Sequence, residues 1–455
     1  MNTSTSEIHS FFATCPRYIE PILQEEIRGI APRATVRSTT GGVAFEAPLE
    51  SALRVCLWSR VAGRVLLKLA EDRVDNRDGL YALARAVAWE DHFGLEDSFA
   101  VYGHTAHSAF THSGLPFLVT KDAVCDRFRA RTNARPSVDT ETPDLRISLY
   151  LTDRIGIVYL DLSGESLHRR SYRLQGGPAP LRENTAAAVL ARSGWESEIR
   201  HMREGAAEPP VFVDPMCGSG TLAIEAALIA ANAAPGLDRE QFGFERWAGH
   251  DPETWGALIE EARELRESGI ETWTHRGGRI WASDIDEASI EAAQANAQRA
   301  GVASLITFAA RDFASLTRGA VLGRWKDEFE GATVAPDASA PRAGAGFVVT
   351  NPPYGHRVSG SPDRTGKHPA SEPDDTRVYS RLGKWLSRTM NGLSATVLAA
   401  SREQTRALGL HATRLYKLYN GGNEIVAAKV VLSEANRYAS HPAPAGPSTG
   451  AGPSA

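Results

Sequence analysis

The sequence is poor in several features that would each have placed it in a class. No apolar run approaches the ~18 residues of a membrane span, so no transmembrane helix is expected. The opening residues MNTSTSEIHS hold neither a basic patch nor an apolar stretch, so no secretory signal is expected. Cysteine is scarce: Cys15, Cys56, Cys125 and Cys217 are all four, and none are in CxxC or zinc-site spacing. A reduced, cytoplasmic protein without disulfides, bound metal or a membrane partner is the expectation. Excess charge is also missing. A net charge of -5 neither demands nor excludes nucleic acid, because a basic patch can hide in a balanced total.

What is present suffices for two or three domains: 455 residues, 42% of them hydrophobic. FFATCP reads as an apolar strand and PRYIEPILQEEIRGI as a helix. ATVRSTTGGVAFEA reads as two strands about Thr40-Gly41-Gly42, LESALRVCLWSRVAG as a helix and RVLLKLAE as a strand. This β-α-β-β-α-β order is ferredoxin-like. FAVYGHT and DLRISLYLTDRIGIVYLDL add strands, with a helix between them from about Thr120 to Arg131.

From about Pro210 the pattern becomes strictly alternating. VFVD, RIWASD, LITFAA, GFVVT and ATVLAA are short apolar strands, separated by helical TLAIEAALIAAN, EASIEAAQANAQRA and TRVYSRLGKWLSRTM. Such alternation predicts a parallel sheet with helices on both faces. A hairpin over Gly421-Gly422 is expected to place one antiparallel strand at the sheet edge. Residues 331–346 and 358–376 read as long polar loops, and the Pro/Ala/Gly/Ser-rich end as a disordered tail. The expected fold class is α/β, with a Rossmann-like domain preceded by an α+β module. Its boundaries are 1–65, 66–168, 169–436 and a tail 437–455.

VFVDPMCGSGTLAIEAA is a strand, a glycine loop and a helix start. Gly218 and Gly220 permit close backbone approach, and Thr221 is placed to cap the helix. The loop is neither a G-x-G-x-x-G fingerprint nor a Walker loop. RIWASDID then ends in Asp284, placed to accept both hydroxyls of a ribose, with Asp286 as cap of the following helix. LITFAARDF ends near Asp312, an acceptor for an adenine amino group. Each aspartate alone is an ordinary cap. Three successive strands ending in a glycine loop, an acid and an acid describe a nucleoside site at the C-terminal edge of a parallel sheet.

VVTNPPYG completes that edge. Pro352 and Pro353 fix φ, and Pro352 holds Asn351 extended. The segment becomes a rigid prong whose carbonyls, with the Asn351 side chain, can accept both N–H bonds of an exocyclic amine. Tyr354 offers a flat face for the ring that carries it. Such acceptors localise the nitrogen lone pair toward a methyl donor, so the work is alignment and preorganised electrostatics. A base within a helix would first swing out of its stack.

DPMCGSGT, SDID, ARDF and NPPYG resemble the motifs of class I S-adenosylmethionine-dependent amino-methyltransferases. KDAVCDRFR, RPSVDTETPDLRISLYL and LDLSGESLHRRSYR are similar to THUMP-domain proteins. APLRENTAAAVL and APGLDREQFGFERW resemble the bacterial large-subunit (23S) ribosomal RNA guanine-N2 methyltransferases, and the likeness runs from about residue 8 to 435. The second, C-terminal methyltransferase domain fused on in some members is not expected in these residues, and the stretches 331–346 and 358–376 depart from the pattern. The resemblance implies an RNA guanine-N2 methyltransferase. Its S-adenosylmethionine would lie on Asp214, Pro215, Cys217, Gly218, Gly220, Thr221, Asp284, Ile285, Asp312 and Asn351. Its catalytic segment would be Asn351, Pro352, Pro353 and Tyr354. The implied partner is large-subunit rRNA, with tRNA as the alternative and a non-catalytic RNA-binding assembly factor as the reading from another class. DNA adenine-N6 and release-factor glutamine methyltransferases share Asn-Pro-Pro-Tyr, but the THUMP-like half argues against them. Arg127 and Arg131, on one helix face, and Arg169, Arg170 and Arg173 are the expected RNA contacts.

Overall fold

The computed structural model describes residues 7–433 except 109, 111, 113, 174–180, 206, 323–345 and 354–374. The stretches expected as loops at 331–346 and 358–376 lie almost wholly outside the described residues, as do Tyr354 and the expected tail.

The N-terminal strands are β1 (Ile8–Thr14), β2 (Thr35–Thr39), β3 (Gly42–Pro48), β4 (Arg64–Arg73), β5 (Ser98–Ala106), β6 (Ser137–Val138), β7 (Leu145–Thr152) and β8 (Ile155–Asp161). Strict alternation drives them: Phe11, Phe45, Leu67, Leu149 and Leu160 are buried, while their neighbours in sequence face the other side. Thr40-Gly41 closes the β2–β3 hairpin, with Gly41 at φ +80°. At Gly103, φ is +149°, and a Cβ would stand 1.8 Å from the Leu149 carbonyl oxygen. Only glycine lets β5 lie this close to β7.

All eight strands form one sheet, in the order β2-β3-β1-β4-β8-β7-β5-β6. β4 pairs with β1 on one side and β8 on the other, through a bulge at Lys68/Ala70. The boundary expected at 65/66 therefore falls inside a strand that both N-terminal units use.

The second sheet holds β9 (Val211–Asp214), β10 (Arg279–Asp284), β11 (Ile306–Ala310), β12 (Gly346–Thr350), β13 (Ser394–Ala399), β14 (Arg414–Asn420) and β15 (Asn423–Val431), in the order β11-β10-β9-β12-β13-β15-β14. β9 to β13 run parallel to one another. The hairpin over Gly421 forms, but its antiparallel strand is not at the edge. β15 pairs antiparallel with both β13 and β14, so it lies one strand in, and the edge strand β14 runs parallel to β13. Trp195 packs edge-on against Phe212, Trp273 and Phe347 on one face. Tyr379, Leu382 and Leu386 of the helix Asp375–Thr389 are fully buried in a second cluster with Val348 and Val397.

The two halves are joined by backbone bonds. Gly236 donates to the Leu57 carbonyl, Phe244 to Leu162 and Ala248 to His92, all within 3.0 Å. Arg54 forms a bidentate pair with Glu261, at 2.7 and 2.8 Å. One continuous set of buried apolar side chains runs from Phe11 to Ala427.

Candidate functional site at the carboxyl edge of the second sheet

The strand order reverses between β9 and β12, which opens a crevice beyond their C-terminal ends. Asp214 ends β9, Asp284 ends β10 and Thr350 ends β12, so the chain delivers its singled-out residues to one place.

The glycine loop is held open from below. The Cys217 N–H donates to the Ser283 carbonyl (2.9 Å), the Gly218 N–H to Asp284 Oδ2 (2.9 Å), and Asn296 Nδ2 to the Ser219 carbonyl (3.0 Å). Gly218 (φ +51°) and Gly220 (φ +87°) adopt left-handed backbone. A Cβ on Gly220 would come within 3.0 Å of Ala293 Cβ, whereas one on Gly218 would meet nothing within 4 Å. Gly220 thus serves helix packing and Gly218 borders open space. Thr221 is not the cap expected of it: Gly220 takes that position, and no side chain caps the helix Thr221–Ala230. The Thr221 hydroxyl instead accepts from Arg173.

Asp214 is buried, and no cation pairs with it among the described residues. Burial pushes its carboxyl up to about 7, and the nearby Asp284 adds to the rise. The Met216 N–H, at 3.4 Å, and the Thr350 hydroxyl, which falls short of full hydrogen-bond geometry, only partly offset this. A buried acid without a counter-charge, facing an open cradle, fits a cationic ligand.

Asp284 accepts from Gly218 and from the Asp286 N–H (3.1 Å), which fixes its plane. Asp286 stands at the cap position of the helix Glu287–Arg299, yet its carboxylate takes the Ser289 hydroxyl (2.8 Å) and no backbone N–H. Ile285 between them is 74% exposed, an apolar face beside the acid. Asp312 is already engaged: it accepts from the Ala314 N–H (3.0 Å) and pairs with Arg381 at 2.7 Å. Burial raises its carboxyl, but these two donors outweigh that and hold it below the usual range. Arg381 also lies 5.3 Å over the Phe313 ring. Sequence reasoning missed Arg381, which stands among Arg377, Lys384 and Arg388 on the exposed face of its helix, so no local signal set it apart. Beyond β12, Asn351 is half-buried, Pro352 buried and Pro353 exposed.

The arginines divide. Arg127 and Arg131 do share a helix face, but both pair with Glu90 at 2.7 Å. The Arg127 hydrogen bond, above all, pulls that carboxyl down to about 2. Arg170 is no RNA contact: its side chain is 2% exposed and donates to Glu225 at 2.5 Å, which also accepts from Tyr172. Arg173 is likewise internal, with Glu183 and Thr221. Arg169 and Arg131 keep exposed heads.

A cleft of about 1170 Å³ lies between the halves, bordered by Arg146, Arg169, Arg182, Arg239 and Arg246 and by the hairpin tip 420–423. Because β14 runs parallel to β13, that tip stands at the same sheet edge as Asp214 and Asp284. His168 in the cleft wall is depressed to about 4, by burial first and then by Arg182, Arg169 and other cations around it. Among the described residues no group of three His, Cys, Asp or Glu side chains can hold a metal, and no helix is long and apolar enough to cross a membrane.

Three domain families match in succession: an RlmL ferredoxin-like domain over residues 10–66, a THUMP domain over 74–161 and an RMKL-like methyltransferase domain over 170–323. The proteins named ribosomal RNA large subunit methyltransferase K/L from Syntrophotalea carbinolica and Allochromatium vinosum are 41% and 40% identical over 91% of this chain. The chain spans about half of their length, 52% and 50%. Among solved structures, SMU.472, named as a methyltransferase and solved with SAH, matches with TM-score 0.72 at 24% identity, covering 93% of this chain and 98% of its own. TrmN from Thermus thermophilus matches with TM-score 0.59 at 18% identity, covering 94% and 100%. These likenesses to solved structures establish the fold.

Proposed function

We propose that this chain, in which a THUMP-domain match precedes an RMKL-like methyltransferase-domain match, is a THUMP-containing methyltransferase that methylates the exocyclic N2 of a guanine in large-subunit ribosomal RNA. The observation that carries the reading is the meeting of an open glycine cradle, an unpaired buried acid and the Asn-Pro-Pro prong at one topological switch point.

S-adenosylmethionine supplies the methyl group in this chemistry. The chain's residues do the rest. Asp214 would take the cofactor's cationic end, with Pro215 and Cys217 shaping the cradle. Gly218 lets the backbone approach, and Asp284 accepts the ribose hydroxyls through the lone pairs its two backbone donors leave. Ile285 would hold the base through its exposed apolar face, with Asp312, paired with Arg381, as a further contact. Asn351 and the Pro352 carbonyl accept the two N–H bonds of the target amine and hold its lone pair toward the methyl carbon. The Tyr354 ring receives the base. RNA reaches this edge through the arginine cleft, where Arg169, Arg182 and Arg246 meet phosphates.

The test is nucleoside mass spectrometry after the full chain acts on rRNA and tRNA from a strain lacking the enzyme. N2-methylguanosine formed in 23S rRNA is expected. Product confined to tRNA would move the substrate, N6-methyladenosine would move the base, and cofactor binding without product would leave an RNA-binding factor.

A further inference from the structure

One face of the eight-stranded sheet is packed. The other opens as a trough of about 770 Å³. Period-two alternation puts Phe12 (β1), Tyr159 (β8), Tyr150 (β7), and Tyr102 with His104 (β5) on that open face. Their rings are ordered. His104 stacks on Tyr150 with centroids 5.8 Å apart and planes 25° apart. Phe12 tilts against Tyr159 at 6.4 Å. The Arg146 guanidinium lies 5.1 Å over the Tyr102 ring. Tyr150 is 40% exposed.

Cations line the trough with the rings: Arg64 and Lys68 from β4 and Arg146 from β7 within the stripe, and Arg37 from β2 beyond its β1 end. The acids of the trough are Glu46, Glu71 and Asp161, and two are spent, Glu71 on Lys68 at 3.1 Å and Asp161 on Arg64. Among the described residues no acid lies within ion-pair distance of Arg37. The aromatic stripe runs from β1 to β5 across four strand spacings, about 19 Å at ~4.8 Å each. Flat rings alternating with cations are the elements that hold unpaired nucleotides, since every base has a face to stack and every nucleotide a phosphate. A duplex keeps its bases stacked inside, where these rings do not reach.

We propose that this face is a second RNA-binding surface, a platform on which a single-stranded segment of the substrate stacks its bases on Tyr150, His104 and Phe12 while Arg37 meets its phosphates; Arg146, paired with Glu165 at 2.9 Å, holds the Tyr102 ring in place. This platform rests on RNA being the substrate. Arg146 borders both the trough and the arginine cleft, so the two surfaces are continuous and the strand has a path to the catalytic edge.

The experiment is fluorescence anisotropy of the full chain with a labelled single-stranded oligoribonucleotide of about 12 residues, and with the same sequence as a duplex. Tyr150→Ala combined with His104→Ala should weaken single-strand binding roughly tenfold or more, leaving duplex binding unchanged. Tyr150→Phe, which keeps the ring, should bind like the wild type. Cofactor affinity, measured on each variant, reports that the other half remains folded. Wild-type affinity in the double variant, with the wild type still methylating RNA, would overturn the platform and leave the methyltransferase reading standing. A loss in Tyr150→Phe as large as in Tyr150→Ala would overturn stacking in favour of the hydroxyl. A wild type that neither binds nor methylates RNA would overturn both.

Discussion

At the scale of single residues, burial decides which charges do chemistry and which hold the fold. Asp214 ionises with difficulty because it is buried without a cation. A cationic cofactor favours its ionised form, so cofactor affinity should fall as pH drops below about 7, by up to about tenfold per pH unit. Calorimetric titration at pH 5.5, 6.5 and 7.5 checks this, and Asp214→Asn should be weak at every pH. Stability responds in the opposite sense. Between about pH 4 and 7 the folded protein keeps a proton that the unfolded chain releases, so this residue's contribution declines as pH rises through that window. The Asn variant should lack that decline in Tm.

Asn351→Ala should slow single-turnover methylation by on the order of 10²–10³, the effect of removing one preorganised polar group. RNA affinity should be nearly constant. Arg170→Ala should behave quite differently. It leaves Glu225 buried without its cation, which costs about 3–5 kcal/mol in urea melts. Any loss of RNA binding in that variant would follow unfolding. The acids and glycines of the proposed cofactor edge were legible in the sequence as strand ends: Asp214 and the glycine loop follow from β9, and Asp284 closes β10. The fate of the arginines was not. Arg170 meets an acid 55 positions away and Arg127 one 37 positions away, and a local reading of HRRSYR or KDAVCDRFR holds neither partner.

At the scale of elements, the strands and the β2–β3 and β14–β15 turns follow from alternation and glycine placement, while lateral order does not. Nothing in the hairpin over Gly421 says which arm lies inside. The more apolar IVAAKVV arm, paired on both sides, leaves RLYKLYN at the edge, and that contrast was the available signal. Gly103 tests the closeness of β5 and β7. Gly103→Ala would place a methyl inside the van der Waals radius of the Leu149 carbonyl, and should destabilise by at least about 2 kcal/mol in thermal or urea unfolding. The arginine cleft belongs to this scale too. Replacing Arg169, Arg182 and Arg246 with Ala should flatten the slope of log K against log salt by roughly 0.7–0.9 for each phosphate the variant no longer neutralises. A salt titration of RNA binding reads it, and cofactor affinity should not move.

At the scale of the whole molecule, the ferredoxin-like, THUMP and methyltransferase regions share one continuous core and several backbone bonds across their seams. Calorimetry should therefore give one unfolding transition for residues 7–433, not one per domain. Adding cofactor should raise that single transition as a whole.

The shared strand β4 has a consequence for the substrate. Two units that own the same strand cannot swing on a linker, and the seam at Leu57, His92 and Leu162 ties them to the catalytic half. On the proposed reading, the span from the stacking trough to Asn351 would then be a fixed length, and the protein would measure its target in the manner of a gauge. Recognition would reside in the spacing between an anchored strand and a base, and one nucleotide more or fewer would bring the wrong base to the edge.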